Sequence, residues 1–273
     1  MNFIQRLLSA QFTIPEQLRC NPTSEFIGRK LFRFFPFLLP HDKSYWGFLY
    51  FVEKREGLFL DIGANDGISA LGFRRIHPPY RILSIEPNYC HAYALKRLKT
   101  KHLDRFDYKI IGAGRMSGQM TLHIPVYNGV PLYTAASVDR KYVVDTITHQ
   151  YADASENLVI MELKIDIRPL DEFNLKPDII KIDTEGFDYD VLLGLNKTIA
   201  AHRPTVMVEY NPERIGDLVN FFSLHQYQLM TYDYISKVFE DFENDAPILK
   251  DERKIRSNLF CVPKEKTDKL PKR

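Results

Sequence analysis

Leu58-Phe-Leu-Asp-Ile-Gly-Ala-Asn-Asp-Gly67 decides the fold. A short apolar run from Leu58 to Leu60 meets an acid at Asp61, and Gly63 and Gly67 then follow four residues apart. Such a run is the pattern of a strand buried on both faces. The glycines permit positive φ and close backbone approach, which suits a strand-to-helix turn that cradles a ligand. About twenty-five residues beyond Asp61, a second apolar run, Ile82-Leu83-Ser84-Ile85, ends in Glu86. A glycine turn followed at that distance by a strand-end carboxylate is how α/β folds hold a nucleoside, the acid taking the ribose hydroxyls.

Working outward, the chain of 273 residues suits one domain with an elaboration, or at most two. Its 45% hydrophobic and 26% charged content is that of a globular protein. A formal charge of +2 is too mild to imply a nucleic-acid partner. Much of the basic surplus lies in residues 264–273, which read as a disordered tail. Cys20, Cys90 and Cys261 are odd in number and far apart, which fits a reducing compartment and argues against a structural zinc site. The greasiest segment, Leu31 to Leu39, is interrupted by Arg33 and Pro36 and falls short of the about 20 residues a membrane span needs. The expected location is cytoplasmic, with no transmembrane segment. A weak amphipathic signal in the first twelve residues leaves slight contact with a membrane surface as an option.

Residues 1–56 read as a helical extension, rich in aromatics and holding the sole Trp46, that packs on the core or caps the crevice. Residues 57–263 read as an α/β domain: a mostly parallel, doubly wound sheet with an antiparallel C-terminal strand. Helices are expected over Ile68–Ile76, Cys90–Lys99 and Phe187–Leu195, and strands over Ile82–Glu86, Asp107–Ile111, Asp178–Ile182 and Thr205–Val208. Asn211-Pro212 looks like a helix start, a cap followed by proline at the first position. Gln228–Thr231 and Asn258–Val262 complete the sheet as an antiparallel pair.

The series is interrupted at about residues 115–168. Gln119 to Val126 alternates as an antiparallel strand, and Val159 to Ile167 alternates as its return, with Val159, Met161, Leu163, Ile165 and Ile167 on one face. The connection of residues 127–157 exceeds the about 12–15 residues beyond which a structureless loop is usually functional or mobile. This β-hairpin insertion is the expected selector of substrate.

Asp61, Glu86, Asp183, Glu185 and Glu209 all fall at expected carboxyl ends of strands, where open α/β sheets bind ligands. The turn Gly63-Ala-Asn-Asp-Gly67 has Asn65 where a dinucleotide fold needs its second glycine, and Asp61 and Asp66 add negative charge. An acidic turn is poor for pyrophosphate and suits a nucleoside that carries positive charge, such as S-adenosyl-L-methionine (SAM). Lys181 shares a strand side with Asp183, and if buried it needs a carboxylate partner, for which Asp61 on the next strand is the candidate. His91 and His123 could face the site, though a solvated or core position is commoner for a lone histidine.

The sequence resembles the FkbM-type family of SAM-dependent methyltransferases, which have a Rossmann-like class I fold. Three blocks carry the likeness: Asp61-Ile-Gly-Ala-Asn-Asp-Gly67, Ser84-Ile-Glu-Pro-Asn88, and Ile180-Lys-Ile-Asp-Thr-Glu-Gly-Phe-Asp188 running on to Val208-Glu209. The resemblance implies that Asp61, Gly63 and Asn65 line the methionine part of SAM, with Asp66 and Gly67 in the same turn. It also implies that Glu86 holds the ribose diol and that Ala113 lies near adenine. Thr134-Ala-Ala-Ser137 is similar to a small-residue stretch of the family's insertion. The family implies O-methylation of a hydroxyl on a sugar, glycan or small natural product.

Asp183, Glu185 and Glu209 are the expected catalytic acids, one to accept the hydroxyl proton and another to orient the acceptor. Three carboxylates also form an oxygen set that suits Mg²⁺, although no metal is assigned. Helix capping alone would also account for Asp183 and Glu185, and a turn for Glu209. The rival readings are a SAM-binding protein without turnover and a nicotinamide-dependent oxidoreductase.

Overall fold

A computed structural model describes residues 42–52, 56–151, 154–242 and 258–272. In chain order the first strands are β1 (Leu58–Ile62), β2 (Arg81–Ile85), β3 (Phe106–Lys109), β4 (Gly112–Ala113), β5 (Gly118–Tyr127) and β6 (Val130–Pro131). They are followed by β7 (Leu158–Arg168), β8 (Ile179–Ile182), β9 (Thr205–Glu209), β10 (Tyr227–Asp233), β11 (Val238–Asp241) and β12 (Asn258–Pro263). The main helices are α1 (Ile68–Ile76), α2 (Ala92–His102), α3 (Arg140–Gln150), α4 (Asp188–Leu193), α5 (Asn196–His202) and α6 (Ile215–Leu224).

The principal sheet has the order β11-β10-β12-β9-β8-β1-β2-β3. β3, β2, β1, β8 and β9 are parallel, and β12 lies antiparallel to both β9 and β10. Chain order reverses between β1 and β8, the switch point at which an open α/β sheet leaves a crevice beyond its strand ends. Alternate residues feed two cores. Leu60, Ile62, Ile180, Ile182, Val206 and Val208 face α4, α5 and α6. Phe59, Ile179, Met207 and Phe260 face α1, α2 and the 3-10 helix Lys43–Phe51. Burial on both faces explains why these strands read as continuous apolar runs.

Lys43–Phe51 is the described part of the N-terminal extension. Its Phe48 is fully buried and packs edge-on against Phe59, Phe73 and Phe260. Residues 1–41 lie outside the described residues, as do Cys20 and the amphipathic start.

Several expectations change. The helix expected over Phe187–Leu195 is α4, which ends at Leu193, and a second short helix, α5, follows the turn at Gly194. A Cβ at Gly194 would stand 2.1 Å from the Gly114 carbonyl, so this break lets the chain pass close to that turn. Asn211-Pro212 opens a turn in which Asn211 Oδ1 accepts from the Glu213 amide at 2.9 Å, and α6 starts only at Ile215. β10 and β12 pair as expected, but β10 also pairs with β11, a strand too short and polar to stand out. The tail is not disordered as far as residue 272. Lys264–Lys269 forms a 3-10 helix, Thr267 and Leu270 are buried, and Arg203 pairs with Glu265 at 2.7 Å.

The insertion forms a second sheet, β4-β7-β5-β6. The connection expected to be a long loop contains α3, capped by Asp139 and held inward by Val143 and Ile147. The apolar face of β7 is buried at Ile165 and Ile167 but 66% exposed at Val159.

Candidate active site

A pocket opens at the carboxyl ends of β1, β2 and β8, walled on its other side by the insertion. Gly63 has φ +74°, and a Cβ there would come within 1.8 Å of the Asp183 carbonyl oxygen, so only glycine lets the β1 and β8 turns meet. Asn65 also adopts a left-handed conformation, φ 50°. This aims its backbone N–H at Glu86 Oε2, 2.7 Å away, while Asn88 N–H reaches Glu86 Oε1 at 2.8 Å. Glu86 is thereby fixed at the end of β2 with lone pairs to spare. Burial pushes its pKa up to about 7 against these two donors.

Gly63, Asn65, Glu86, Ala113, Asp183 and Glu185 all line the pocket. Asp61, Asp66, Gly67 and Glu209 do not. Asp61 points by strand alternation into the layer under α1, where Ser69 and Ser84 hydroxyls donate to Oδ2 at 2.7 and 3.0 Å. It therefore sits behind Ser69 and Lys181, which do line the pocket. Asp66 lies in the turn, its amide donating to Asn65 Oδ1 at 2.9 Å. Gly67, φ +86°, caps α1, and a Cβ there would strike Leu98 at 2.3 Å. Its demand comes from that positive φ.

Lys181 is buried between carboxylates, 3.1 Å from Asp183 Oδ2 and 3.8 Å from Asp61 Oδ1, and it donates to the Gly63 carbonyl at 3.1 Å. Burial opposes its charge, but Asp183 and Asp61 outweigh burial and hold its pKa above the ordinary lysine value. Burial in turn raises Asp61, with Lys181 opposing.

Beyond Lys181, acids gather. Oxygens of Asp183, Glu185 and Glu209 lie within 4.8 Å of one another, an arrangement compatible with proton sharing or with an oxygen-liganded cation. Burial, then Glu209 and Asp183, push Glu185 up to about 9. Burial, then Asp183 and Asp188, push Glu209 up to about 8. Asp188, buried at the start of α4, is raised to about 6 by burial although the Thr184 hydroxyl and amide donate to it. Glu185 itself has φ +50°, a costly conformation for a side chain with a Cβ.

The insertion supplies residues that strand-end reasoning did not find. Leu122, Ile165, Ile167 and Tyr133 give the pocket an apolar wall. Tyr142 Oη donates to Glu185 Oε2 at 3.1 Å, and Ser137 Oγ donates to the Glu185 carbonyl at 2.7 Å. Tyr142 reaches the acids from about forty residues away, a distance no local motif reveals. His91 packs edge-on against the Tyr133 ring and His123 lies 3.6 Å from Glu162; neither lines the pocket.

Comparison with known proteins gives concordant results. Residues 61–229 match the family described as the methyltransferase FkbM domain. A crystal structure of methyltransferase FkbM from Methylobacillus flagellatus superposes with TM-score 0.50 at 19% identity, covering 80% of this chain and 48% of that one. A precorrin-6y C5,15-methyltransferase from Geobacter metallireducens gives TM-score 0.38 at 11% identity, covering 78% of this chain and 81% of that one. Among curated proteins, the AMB antimetabolite synthetase AmbE of Pseudomonas aeruginosa is 24% identical over 191 residues. That alignment spans 60% of this chain and only 9% of the length of AmbE. The fold is the Rossmann-like fold of class I methyltransferases.

Proposed function

The chain belongs to the FkbM methyltransferase family, and from that premise we propose that it transfers the methyl group of SAM to a hydroxyl of a sugar, glycan or small natural product. The observation that carries this reading is the acid cluster of Asp183, Glu185 and Glu209, set beside the pocket that Glu86 and Gly63 line. The residues fit the cofactor. Glu86 offers a fixed carboxylate to a ribose diol, Gly63 and Asn65 present the β1 turn to the pocket, and the acidic wall suits a cationic ligand. The turn, which lacks the second glycine, is unsuited to a dinucleotide's pyrophosphate, and the family supports SAM over a nicotinamide cofactor.

SAM supplies an electrophilic methyl group on a sulfonium. As the acceptor oxygen bonds to that carbon, the carbon–sulfur bond breaks and its electron pair stays on sulfur. The hydroxyl proton passes to a carboxylate, for which Glu185 is the assigned base, with Asp183 and Glu209 orienting the acceptor. An alcohol is a weak nucleophile, and a carboxylate raised to about 9 is a stronger base than an ordinary one only in its ionised form, whose share grows as pH climbs toward 9. In-line transfer asks for about 3–3.5 Å between oxygen and methyl carbon, and the apolar insertion wall of Leu122, Tyr133, Ile165 and Ile167 would narrow the poses open to an acceptor. With Glu185 and Glu209 both raised by burial and by neighbouring acids, the metal-free cluster retains a proton near neutrality. The name of the curated relative, an antimetabolite synthetase, supports a small natural product among the acceptor classes.

Isothermal titration with SAM and with NADH tests the cofactor, and transfer of labelled methyl groups to a panel of sugars and hydroxylated natural products tests the reaction. Glu185→Ala should abolish transfer while SAM affinity persists, and rate should not depend on added Mg²⁺. NADH binding without SAM binding would overturn the reading.

A further inference from the structure

The insertion does more than wall the pocket. It holds Glu185 at two points, since Ser137 binds the main-chain carbonyl and Tyr142 binds the side chain. Ser137 is almost fully buried and its amide and carbonyl pair with His123 on β5, so the first hold is anchored in the second sheet. Tyr142 rides on α3, which Val143 and Ile147 lock in place, and its ring lies over Gly186, where a Cβ would meet ring atoms at 3.6–3.7 Å. Glu185 stands between these holds at the first central position of a tight turn, left-handed like Gly186 after it and closed by the Phe187 amide on the Thr184 carbonyl at 3.3 Å.

Resting on the methyltransferase reading, we propose that Ser137 and Tyr142 are positioning residues, through which the insertion that faces the acceptor also aims the base that deprotonates it. Acceptor binding against the insertion and proton acceptance at Glu185 are then mechanically one event. The groups acting on Glu185 are Glu209 from β9, Asp183 from the turn after β8, Tyr142 from α3 and Asp188 from α4, with Lys181 one step away as the partner of Asp183. Of these, Tyr142 is a neutral donor, because burial and Glu185 push its own ionisation upward. Its hydrogen bond favours the ionised Glu185, opposing the surrounding acids.

The test is the titration of Glu185 followed by NMR in protein labelled at the glutamate side-chain carboxyl, its resonance identified by Glu185→Gln. Tyr142→Phe keeps the ring over Gly186 and removes only the donor. The midpoint should rise by roughly one pH unit or more, and the acid limb of kcat should move with it, at unchanged SAM affinity. Replacing Tyr142 by 3-fluorotyrosine, a stronger donor, should move the midpoint down. Ser137→Ala should lower kcat without moving the midpoint, since it loosens the main chain alone. A midpoint that stays in place in both Tyr142 variants while they bind SAM would overturn the proposal. Absence of methyl transfer by the parent protein would instead sink the activity, and the titration would still report on the Tyr142 hold.

Discussion

Asp61 and Lys181 face each other in register across β1 and β8, both buried, with Nζ 3.8 Å from Oδ1. Lys181 is the cation that makes an acidic pocket floor tolerable. Removing it strands Asp61 in the core, and uncompensated buried charges of this kind cost about 3–5 kcal/mol. Lys181→Met should therefore lower the denaturant midpoint strongly, and Asp61→Asn in the same chain should recover part of the loss. Chemical denaturation of both proteins measures this. Equal midpoints for the single and double variants would refute the pairing.

Gly63 makes the second prediction. With φ +74° and the Asp183 carbonyl 1.8 Å from any Cβ, Gly63→Ala must push β1 and β8 apart at the switch point. Loss of SAM binding by calorimetry, with a fall in Tm, is expected. Gly118→Ala, which meets nothing within 4 Å, serves as the control and should leave both unchanged.

SAM affinity should depend on pH through Glu86. Its carboxyl, raised to about 7, accepts ribose hydroxyls fully only once ionised, so Kd should fall as pH rises from 6 to 8. Glu86→Gln should weaken binding about tenfold or more, the worth of a hydrogen bond to a charged group, and should flatten this dependence. Calorimetry across that range decides it.

Stability of the free protein should run the other way. Glu86, Asp188, Glu209 and Glu185 all have folded values above the ordinary carboxylate values, so the folded chain holds more protons than the unfolded chain. Their stabilisation is complete below the unfolded values and is lost as pH climbs through about 6 to about 9, at about 1.4 kcal/mol per unit per proton. Glu265, held down to about 2 by Arg203, acts oppositely and only below its unfolded value of 4.5. Tm should thus peak in mildly acidic buffer and decline toward pH 9. Saturating SAM should reduce the decline. A flat profile would show that the acids are not buried together.

Much of this architecture is written locally. Phe59 to Ile62, Ile179 to Ile182 and Val206 to Val208 are apolar because both faces of the sheet are covered, and Asp61, Glu86 and Asp183 interrupt them at one edge. Even the Lys181–Asp61 pairing follows from strand parity and neighbouring strands. Parity also explains what went astray. Asp61 was expected in the pocket because it ends a strand, but its side faces α1, and only tertiary packing shows that Ser69 covers it. Gly67 holds φ +86° where the chain enters α1, a backbone conformation that favours glycine whatever lies beside it. Tyr142 carries no signal, and Ser137 stands out only as the end of the Thr134–Ser137 stretch, because their relation to Glu185 arises only when the second sheet folds over the first. The order at Leu270 was hidden for a different reason, a single apolar side chain among lysines.

β12 lies between β9 and β10 although both precede it in the chain. During synthesis, β9 and β10 therefore emerge with their facing edges bare until residues 258–263 have left the ribosome. Those edges are rich in valine, methionine and leucine, the composition that pairs with strangers when left open. The vulnerable interval spans the stretch from Tyr227 to Asn258, and a stall within it would strand an incomplete sheet. The late strand acts as a closing key, and nascent chains halted before it are the form most in need of a chaperone.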